Sequence, residues 1–576
     1  MQDPAAKTLT EAELAERLRK VALDLTKPGG PFQMAETVEA GSVVRTYDRE
    51  PRTLREVLVA TKAFADRDAI IYQDERLTFA EQYSQVARLA HVLRDEFGVA
   101  AGARIAIACR NYPEWIIVFW AAQALGATLV PLNAWLTGSE LIKLIEEIGP
   151  QVLFADKERL ERIGGASIVP AERCIAIRAA GHAAARSFDE LVGGSDACEL
   201  PDAEVNGDLT ATILFTSGTT GRPKAVPGTH RNHVTALLNR HLRVVARRVL
   251  SGAAADAAVV PSKAEVKLMA YPLFHVSGIS TMYAAAYNGH GLALMYKWDT
   301  AEAIRIIEAE KVTELSGPPL VIQNIVDAAA ENLPALASVA TLGCGGASAP
   351  LKLMKQVEQI FGGRVVPRTA YGMTETNSGI IALDGEELVR NPDAIGRPSP
   401  TIDVRIIDED GNEVSVGDPG ELTVRGAQIF SGYLGEAPYS PPSFINGWFR
   451  TGDKASIDAN GIIRIVGRIK DIVIRGGENI QCVEVEICAC DHPAVIEAAA
   501  VGVPHPTLGE ELVLVAALRA GTDCTETELR AFIGERLAAF KVPVAITLTH
   551  DPLPRTASGK IAKQELGPLV PERSKA

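Results

Sequence analysis

Leu214-Phe-Thr-Ser-Gly-Thr-Thr-Gly-Arg-Pro-Lys-Ala225 is the stretch on which the reading of this chain turns. Its lead-in, Thr212-Ile213-Leu214-Phe215, is apolar and β-branched and reads as the end of a buried strand. Hydroxyls and glycines follow from Thr216 to Gly221, then Arg222-Pro223 and Lys224. Glycines let a backbone curl so that successive N–H groups converge on an anion, and a lysine adds a full positive charge. That is the chemistry of a phosphate cradle. It is not the Walker pattern, which needs Gly-x4-Gly-Lys-Ser/Thr, because Pro223 precedes Lys224 and Ala225 follows it. A Ser/Thr/Gly run taken alone also describes a plain flexible turn, so the rest of the chain has to decide.

A chain of 576 residues is too long for one hydrophobic core, which predicts two or more domains. Hydrophobic content of 47% with 23% charged residues is that of a soluble globular protein. A net charge of −14 argues against nucleic acid as a partner, although a local basic pocket can still hold a small anion. Eight scattered cysteines suit a reducing cytoplasm. Cys482, Cys488, Cys490 and His492 lie close together, but Cys-x-Cys lacks metal-ligand spacing and has no matching second pair, so buried structural thiols are expected. Residues 1–25 carry charges throughout and show no apolar signal-peptide core. Two charge-free stretches, 115–139 and 268–296, are interrupted by glycine, proline and polar residues, and read as buried helix-plus-strand pieces with no membrane span.

Thr10-x-x-Glu13 opens an amphipathic helix over residues 10–25, read as a packing or assembly element and compatible with a homodimer. From about residue 53, strands at 70–72, 104–109, 128–132 and 152–155 alternate with helices at 78–97, 114–125 and 140–148. Such alternation predicts a parallel sheet layered between helices. Residues 178–208 read as irregular surface, and 241–268, with Arg243, Arg247, Arg248, Lys263 and Lys267, as a polar interruption without an assigned purpose. From 403 the texture changes to short strands and turns, at 404–407, 421–424 and 462–466. The remainder reads as a separate α+β unit, with strands at 498–503 and 512–518 and a helix capped by Thr525 and running to Phe540. The expected division is a helical extension 1–50, a large α/β domain 51–468 and a small C-terminal domain 469–576.

Four more segments follow in order: Tyr371-Gly-Met-Thr-Glu375, Gly447-Trp-Phe-Arg-Thr-Gly-Asp453, Gly467-Arg-Ile-Lys-Asp-Ile-Val-Ile-Arg-Gly-Gly-Glu-Asn-Ile480 and Pro554-Arg-Thr-Ala-Ser-Gly-Lys560. With residues 214–225, they resemble in order and spacing the motifs of the adenylate-forming enzymes: acyl-CoA synthetases, luciferases and carrier-loading adenylation domains. The likeness covers most of residues 50–565. It implies an N-terminal domain of layered parallel sheets, helices and a distorted β-barrel, a small mobile C-terminal domain, and ATP, Mg²⁺ and coenzyme A as ligands. Two departures stand out. Ala225 replaces a usual glycine and adds only a methyl, and Arg368-Thr369-Ala370 before the tyrosine motif bears on which acid fits.

The resemblance implies a role for each residue, and physical chemistry supports it. A substrate carboxylate must approach the α-phosphorus of ATP, and the two anions repel unless cations are held in a water-poor site. Lys560 is the expected catalytic cation, carried on a Gly/Ser/Thr loop. Thr216, Ser217, Gly218, Thr219, Thr220, Gly221 and Lys224 would hold the phosphates, with Thr374 adding a hydroxyl. Glu375 would ligate Mg²⁺. Tyr371 and Gly372 would meet adenine, with Gly345, Gly346 and Ala347 along its edge. Asp453 would accept from the ribose hydroxyls, and Arg468 would add a second ribose or phosphate contact. Lys470 would be the hinge about which the C-terminal domain turns between half-reactions, and Gly476 and Gly477 would line the CoA tunnel.

Tyr271-Pro-Leu-Phe-His275-Val-Ser-Gly278 bears on the kind of acid. Amino-acid-activating relatives commonly place an aspartate in this region to neutralise the substrate ammonium, and His275 supplies no fixed negative charge. An acid without an α-amine is expected. Its pocket, by the resemblance, is lined by His275, Val276, Ser277, Ser316, Gly317, Gly343 and Ala370, small and mostly apolar with no charge among them to pair with a polar tail. A fatty, alicyclic or aromatic acid suits such a lining. The expected reaction is acyl-CoA synthesis through acyl-AMP with release of pyrophosphate and AMP. A carrier-protein phosphopantetheine as acceptor, and a non-catalytic acyl- or nucleotide-binding relative, are the alternatives.

Overall fold

The computed structural model describes residues 11–570 except 40–41, 165–167, 180, 183–184, 194–197, 217–222, 256–263, 347–350, 476–477, 506 and 557–559. Arg104–Ala108, Thr128–Leu132 and Val152–Asp156 are apolar and buried at almost every position, as parallel strands between two helical layers must be. They form the centre of a seven-stranded sheet whose edge is the antiparallel hairpin Thr210–Thr216/Lys224–Thr229. A nine-stranded sheet has a parallel centre made of Gly291–Leu294, Val266–Met269, Glu314–Gly317, Thr341–Gly345 and Val366–Met373.

Helices fill the space between the sheets. Pro113–Leu125 is buried at every position but Glu114, begins with a proline and stops at Gly126 in a left-handed conformation, φ 67°. It shares one core with His230–Leu250 and Val276–Tyr287 through Trp115, Trp120, Leu237 and Tyr283. These are the buried pieces expected of the two charge-free stretches. Among the described residues, no helix is long and apolar enough to cross a membrane.

Short antiparallel strands, Ile402–Ile407, Gly420–Gly426, Phe444–Ile445, Trp448–Ile457 and Ile463–Arg468, form a third, barrel-like sheet. It closes on Val226, Ile380 and Ile381 through Phe430, Phe444 and Phe449. Beyond residue 471, five strands and the helices Cys482–Cys490 and Glu526–Gly534 enclose a separate core. Cys482 and Cys488 are buried within it. The N-terminal helix Glu11–Thr26 lies on His230–Leu250, with Arg17 donating to the Leu250 carbonyl at 3.4 Å and Leu25 buried. Thr10, its expected cap, lies outside the described residues.

Two expectations are corrected, and one open stretch is accounted for. Residues 178–208 are not all irregular: Phe188–Gly193 is a helix that buries Phe188, Leu191 and Val192, apolar positions spaced i, i+3, i+4 and easily lost among alanines and charges. The polar stretch 241–268, left without a purpose by the sequence, belongs at both ends to regular elements. Its start completes the helix His230–Leu250 and its end is the strand Val266–Met269, with charged side chains turned inward. The Thr525-capped helix ends at Gly534, a poor helix residue, and Phe540 belongs to a separate turn, Ala539–Lys541.

Candidate active site

The phosphate motif sits at the tip of a hairpin, where Thr216 pairs with Lys224 and donates its hydroxyl to the Lys224 carbonyl at 3.5 Å. Ser217, Gly218, Thr219, Thr220 and Gly221 lie outside the described residues. Lys224 Nζ stands 4.2 Å from the centre of the Tyr433 ring, and the Tyr433 hydroxyl donates to Glu375 Oε1 at 2.9 Å. The Tyr433 segment is tied down at both sides: Leu434 N–H donates to the Ala225 carbonyl and Phe430 N–H to the Glu375 carbonyl, each at 2.9 Å. Tyr433 thus joins the phosphate lysine to the expected magnesium ligand, and sequence reasoning missed it. The only signal was an aromatic residue directly after Gly432.

Glu375 rides on the single turn Thr374–Thr376, which breaks off at Asn377 with φ 48°. Glu375 is 8% exposed. One nearly buried carboxylate fits a hard divalent ion, which keeps several waters and takes its remaining oxygens from phosphates. Just before it, a Cβ on Gly372 would stand 2.1 Å from the Ser378 carbonyl, so the fold demands glycine there.

The nucleoside motifs converge on Asp453, 4% exposed in the strand Trp448–Ile457. The Tyr371 hydroxyl donates to its Oδ2 at 2.6 Å and Arg468 Nε to its Oδ1 at 3.0 Å. Burial, and then the Asp453 charge, raise the Tyr371 phenol well above its ordinary pKa, so it stays a donor. Gly345 ends the strand Thr341–Gly345, and Gly346 turns away with φ 83°; Ala347 is outside the described residues.

Lys560 belongs to the other unit. Its loop is a tight return in which Thr556 N–H donates to the Lys560 carbonyl and Ala562 N–H to the Pro554 carbonyl, both at 2.7 Å. Lys560 keeps contact with solvent. Lost hydration between the walls of the cleft, and then the nearby Arg468 charge, draw its pKa below the usual lysine value, while Asp453 and Glu375 oppose the shift. The terminal lysine therefore shares one electrostatic field with Asp453 and Glu375, the carboxylates expected to hold ribose and magnesium. Three residues on, Lys563 pairs with Glu486 at 2.7 Å and Asp471 at 3.6 Å, tying the loop to the turn Ile469–Asp471 that contains Lys470. The units also touch through Arg519 Nη1 and Asp327 Oδ2 at 3.1 Å. Gly476 and Gly477 lie outside the described residues.

His275 precedes the helix Val276–Tyr287, its ring 4.5 Å from that of Phe274. Val276 and Ser277 open that helix. Ser316, Gly317, Gly343 and Ala370 lie on three neighbouring parallel strands, with Ser316 paired to Gly343. A Cβ on Gly343 would stand 2.3 Å from Ser316 Oγ. Charge lies against these small residues: Arg368 is paired with Gly343, and its guanidinium meets Glu314 at 3.2 Å.

Comparisons with known proteins agree with this arrangement. The family model described as AMP-binding enzyme matches residues 58–434, and that of the AMP-binding enzyme C-terminal domain matches residues 484–560. The 2-succinylbenzoate–CoA ligase of Bacillus licheniformis is 34% identical over 506 residues, covering 87% of this chain and 96% of that protein. The feruloyl-CoA synthase of an Amycolatopsis species is 33% identical over 499 residues, 86% of this chain and 95% of that one. The structure of o-succinylbenzoate CoA synthetase (MenE) from Bacillus subtilis, in complex with its acyl-adenylate intermediate, superposes with a TM-score of 0.75 at 28% identity, over 90% of this chain and 98% of that one. Two family models in the expected order and near-full-length relatives make this chain a member of the AMP-binding enzyme family.

Proposed function

We propose that this enzyme is an AMP-forming acid–thiol ligase, an acyl-CoA synthetase. The observation that carries the reading is that Lys560, from the C-terminal unit, lies in the field of Asp453 and Glu375 of the large one. A substrate carboxylate oxygen attacks the α-phosphorus of ATP; that P–O bond forms, the bond to the β-phosphate bridge breaks, and pyrophosphate leaves. Lys560 and Lys224 offset the repulsion between carboxylate and triphosphate. Thr216 and Thr374 donate to phosphate oxygens, Tyr371 covers adenine, Asp453 and Arg468 hold the ribose, and His275 bounds the side on which the acid enters. A magnesium ion held by Glu375 would neutralise charge on the phosphates.

In the second step a CoA thiol sulfur attacks the acyl carbon, the C–O bond to AMP breaks and the thiol proton leaves. The same space must then admit a thiol, so residues 469–576 are proposed to swing about Lys470, withdrawing Lys560 and bringing Gly476 and Gly477 to the tunnel. The acid is fatty, alicyclic or aromatic, and the names of the two relatives support a ring-bearing one. Acid-dependent exchange of pyrophosphate into ATP across a panel of such acids tests the reading. Exchange with at least one acid, followed by CoA-dependent AMP release, is expected. Silence across the panel overturns it, and release of AMP only with a phosphopantetheinylated carrier replaces CoA as the acceptor.

A further inference from the structure

Where the carboxyl ends of parallel strands from the two large sheets come together, a row of aromatic rings crosses from one sheet to the other. Arg110 follows the strand Arg104–Ala108, Trp135 follows Thr128–Leu132, and Tyr296 follows Gly291–Leu294. The Arg110 guanidinium stands against two of these rings, its carbon 5.1 Å from the centre of Trp135 and 5.4 Å from that of Tyr296. Trp135 packs edge-on against Phe274 at 5.6 Å, and Phe274 lies 4.5 Å from His275, the residue expected at the acid pocket. The Asn111 side chain fixes the spacing, donating to the Tyr271 carbonyl at 3.0 Å and accepting from Leu273 N–H at 2.8 Å. In layered α/β folds, the carboxyl ends of the strands are where ligands bind.

Arg110 differs from the arginines beside it. Arg159 takes both oxygens of Asp156, at 2.6 and 2.5 Å, and Glu158 is shared by Arg159, Arg162 and the Tyr296 hydroxyl. Only the backbone N–H of Arg110 reaches Asp156, at 3.1 Å. Among the described residues, no carboxylate lies within ion-pair distance of its guanidinium, and its Nε is buried without a hydrogen-bond partner. Burial lowers its pKa, yet the residue keeps contact with solvent. An unmatched cation in such a place is costly unless an anion arrives. Trp135 is a second, separate observation. It is 39% exposed, yet its backbone is clamped. Arg159 and Arg162 donate to the Ala134 carbonyl at 3.1 Å, Arg162 also to the Leu136 carbonyl at 2.8 Å, and Trp135 N–H to Asn133 Oδ1 at 3.0 Å. An indole left in water but fixed in place is a stacking platform prepared in advance.

We propose that Arg110 and Trp135 receive the adenosine end of coenzyme A, Trp135 stacking on the adenine and Arg110 pairing with the 3′-phosphate of the same ribose. The inference rests on the ligase reading and deepens it by locating the far end of the thiol donor. The phosphates of ATP are assigned to Lys224 and Thr216 and its base to Tyr371, and the acid must present its carboxylate to the α-phosphorus. Of the ligands of this reaction, the thiol donor is the one left that brings a flat base joined to phosphates. A guanidinium fork matches phosphate oxygens with parallel hydrogen bonds, and any base has a face to lay on an indole. The phosphopantetheine of a carrier protein has neither the adenine nor the 3′-phosphate, so this site sets CoA apart from that acceptor.

The test uses the full-length enzyme with ATP and an acid that supports exchange, and compares CoA, dephospho-CoA and free 4′-phosphopantetheine as acceptors. Thioester formation is read as kcat/KM for the acceptor. CoA is expected to exceed dephospho-CoA by about tenfold, and dephospho-CoA to exceed 4′-phosphopantetheine by about tenfold, both chiefly through KM. In Arg110→Gln the first ratio should fall towards one, and in Trp135→Ala the second should. Equal use of CoA and dephospho-CoA by the unaltered enzyme overturns the proposal and needs no variant. A first ratio unchanged in Arg110→Gln, or a second unchanged in Trp135→Ala, overturns it as well. Thioester formed only on a phosphopantetheinylated carrier overturns it while leaving acid activation intact. Silence with every acid in the exchange assay overturns the ligase reading and this inference together.

Discussion

Tyr371 donates its phenolic hydrogen to Asp453 Oδ2 across 2.6 Å, so the residue expected against adenine also fixes the carboxylate expected to hold the ribose. The two motifs act as one unit. Tyr371→Phe keeps the ring and deletes the donor, and a hydrogen bond to a charged group is worth ~1.5–3 kcal/mol. The KM for ATP should rise about tenfold to a hundredfold, with kcat changed far less, because the bond serves ground and transition states alike. An unaltered KM would show that Asp453 needs no help from Tyr371.

Tyr433 makes a parallel case at the phosphate end, where it touches both Glu375 and Lys224. Tyr433→Phe retains the ring over Lys224 but frees the carboxylate, at a cost of about 1–2 kcal/mol. The Mg²⁺ concentration giving half-maximal exchange should increase about fivefold to thirtyfold. Tyr433→Ala should impair the ATP KM as well. Identical magnesium curves for Tyr433→Phe and the parent enzyme would contradict the link.

How much of this was legible beforehand follows from where the chain keeps its chemistry. Lys224, Glu375, Asp453 and Lys560 could be singled out because each stands in a compact motif, a run of neighbours proposed to serve the same ligand. Tyr433 could not, since its partners lie far off in the chain and meet it only when Leu434 and Phe430 are pinned to the hairpin and to Glu375. The cluster of charges around Glu314 was invisible for a similar reason. Arg240, Lys267, Glu314 and Arg368 come from separate strands and a helix that parallel crossovers bring together, so the polar stretch after residue 240 had no assigned purpose. The layered sheets were legible because strands such as Thr128–Leu132 are apolar throughout, whereas Phe188–Gly193 offers too few apolar residues to show a period.

Arg519 and Asp327 join the two units in the arrangement proposed to serve the first half-reaction. The pair is partly exposed, so it contributes no more than about 1 kcal/mol. Arg519→Ala should slow acid-dependent exchange a few-fold and leave thioesterification of supplied acyl-AMP unchanged or slightly faster. The swap Arg519→Asp with Asp327→Arg should recover the exchange rate. Parallel slowing of both half-reactions would mean that the contact is simple structural support.

Stability should fall on mild acidification. His230, His233 and His290 are buried, and lost hydration brings them down to about 4, 3 and 3, the last helped by Lys267. An unfolded imidazole takes up its proton near ~6.5, so below that pH the unfolded state holds more protons than the folded one. Their contribution is intact above about pH 6.5 and is lost as pH falls towards the folded values, by up to ~2 kcal/mol per histidine at about pH 5. The urea midpoint of the large domain should drop between pH 7.5 and 5.5, and less so in His233→Gln. A midpoint that stays level over this range would contradict the assignment.

The central claim is that one lysine, delivered from the C-terminal unit, offsets the repulsion between two anions in the first half-reaction and has no task in the second. Lys560→Ala, followed separately through acid-dependent exchange and through CoA attack on supplied acyl-AMP, tests it most directly. The account predicts that exchange falls by orders of magnitude while thioesterification is largely preserved. Equal loss in both half-reactions, or no loss in either, would contradict it.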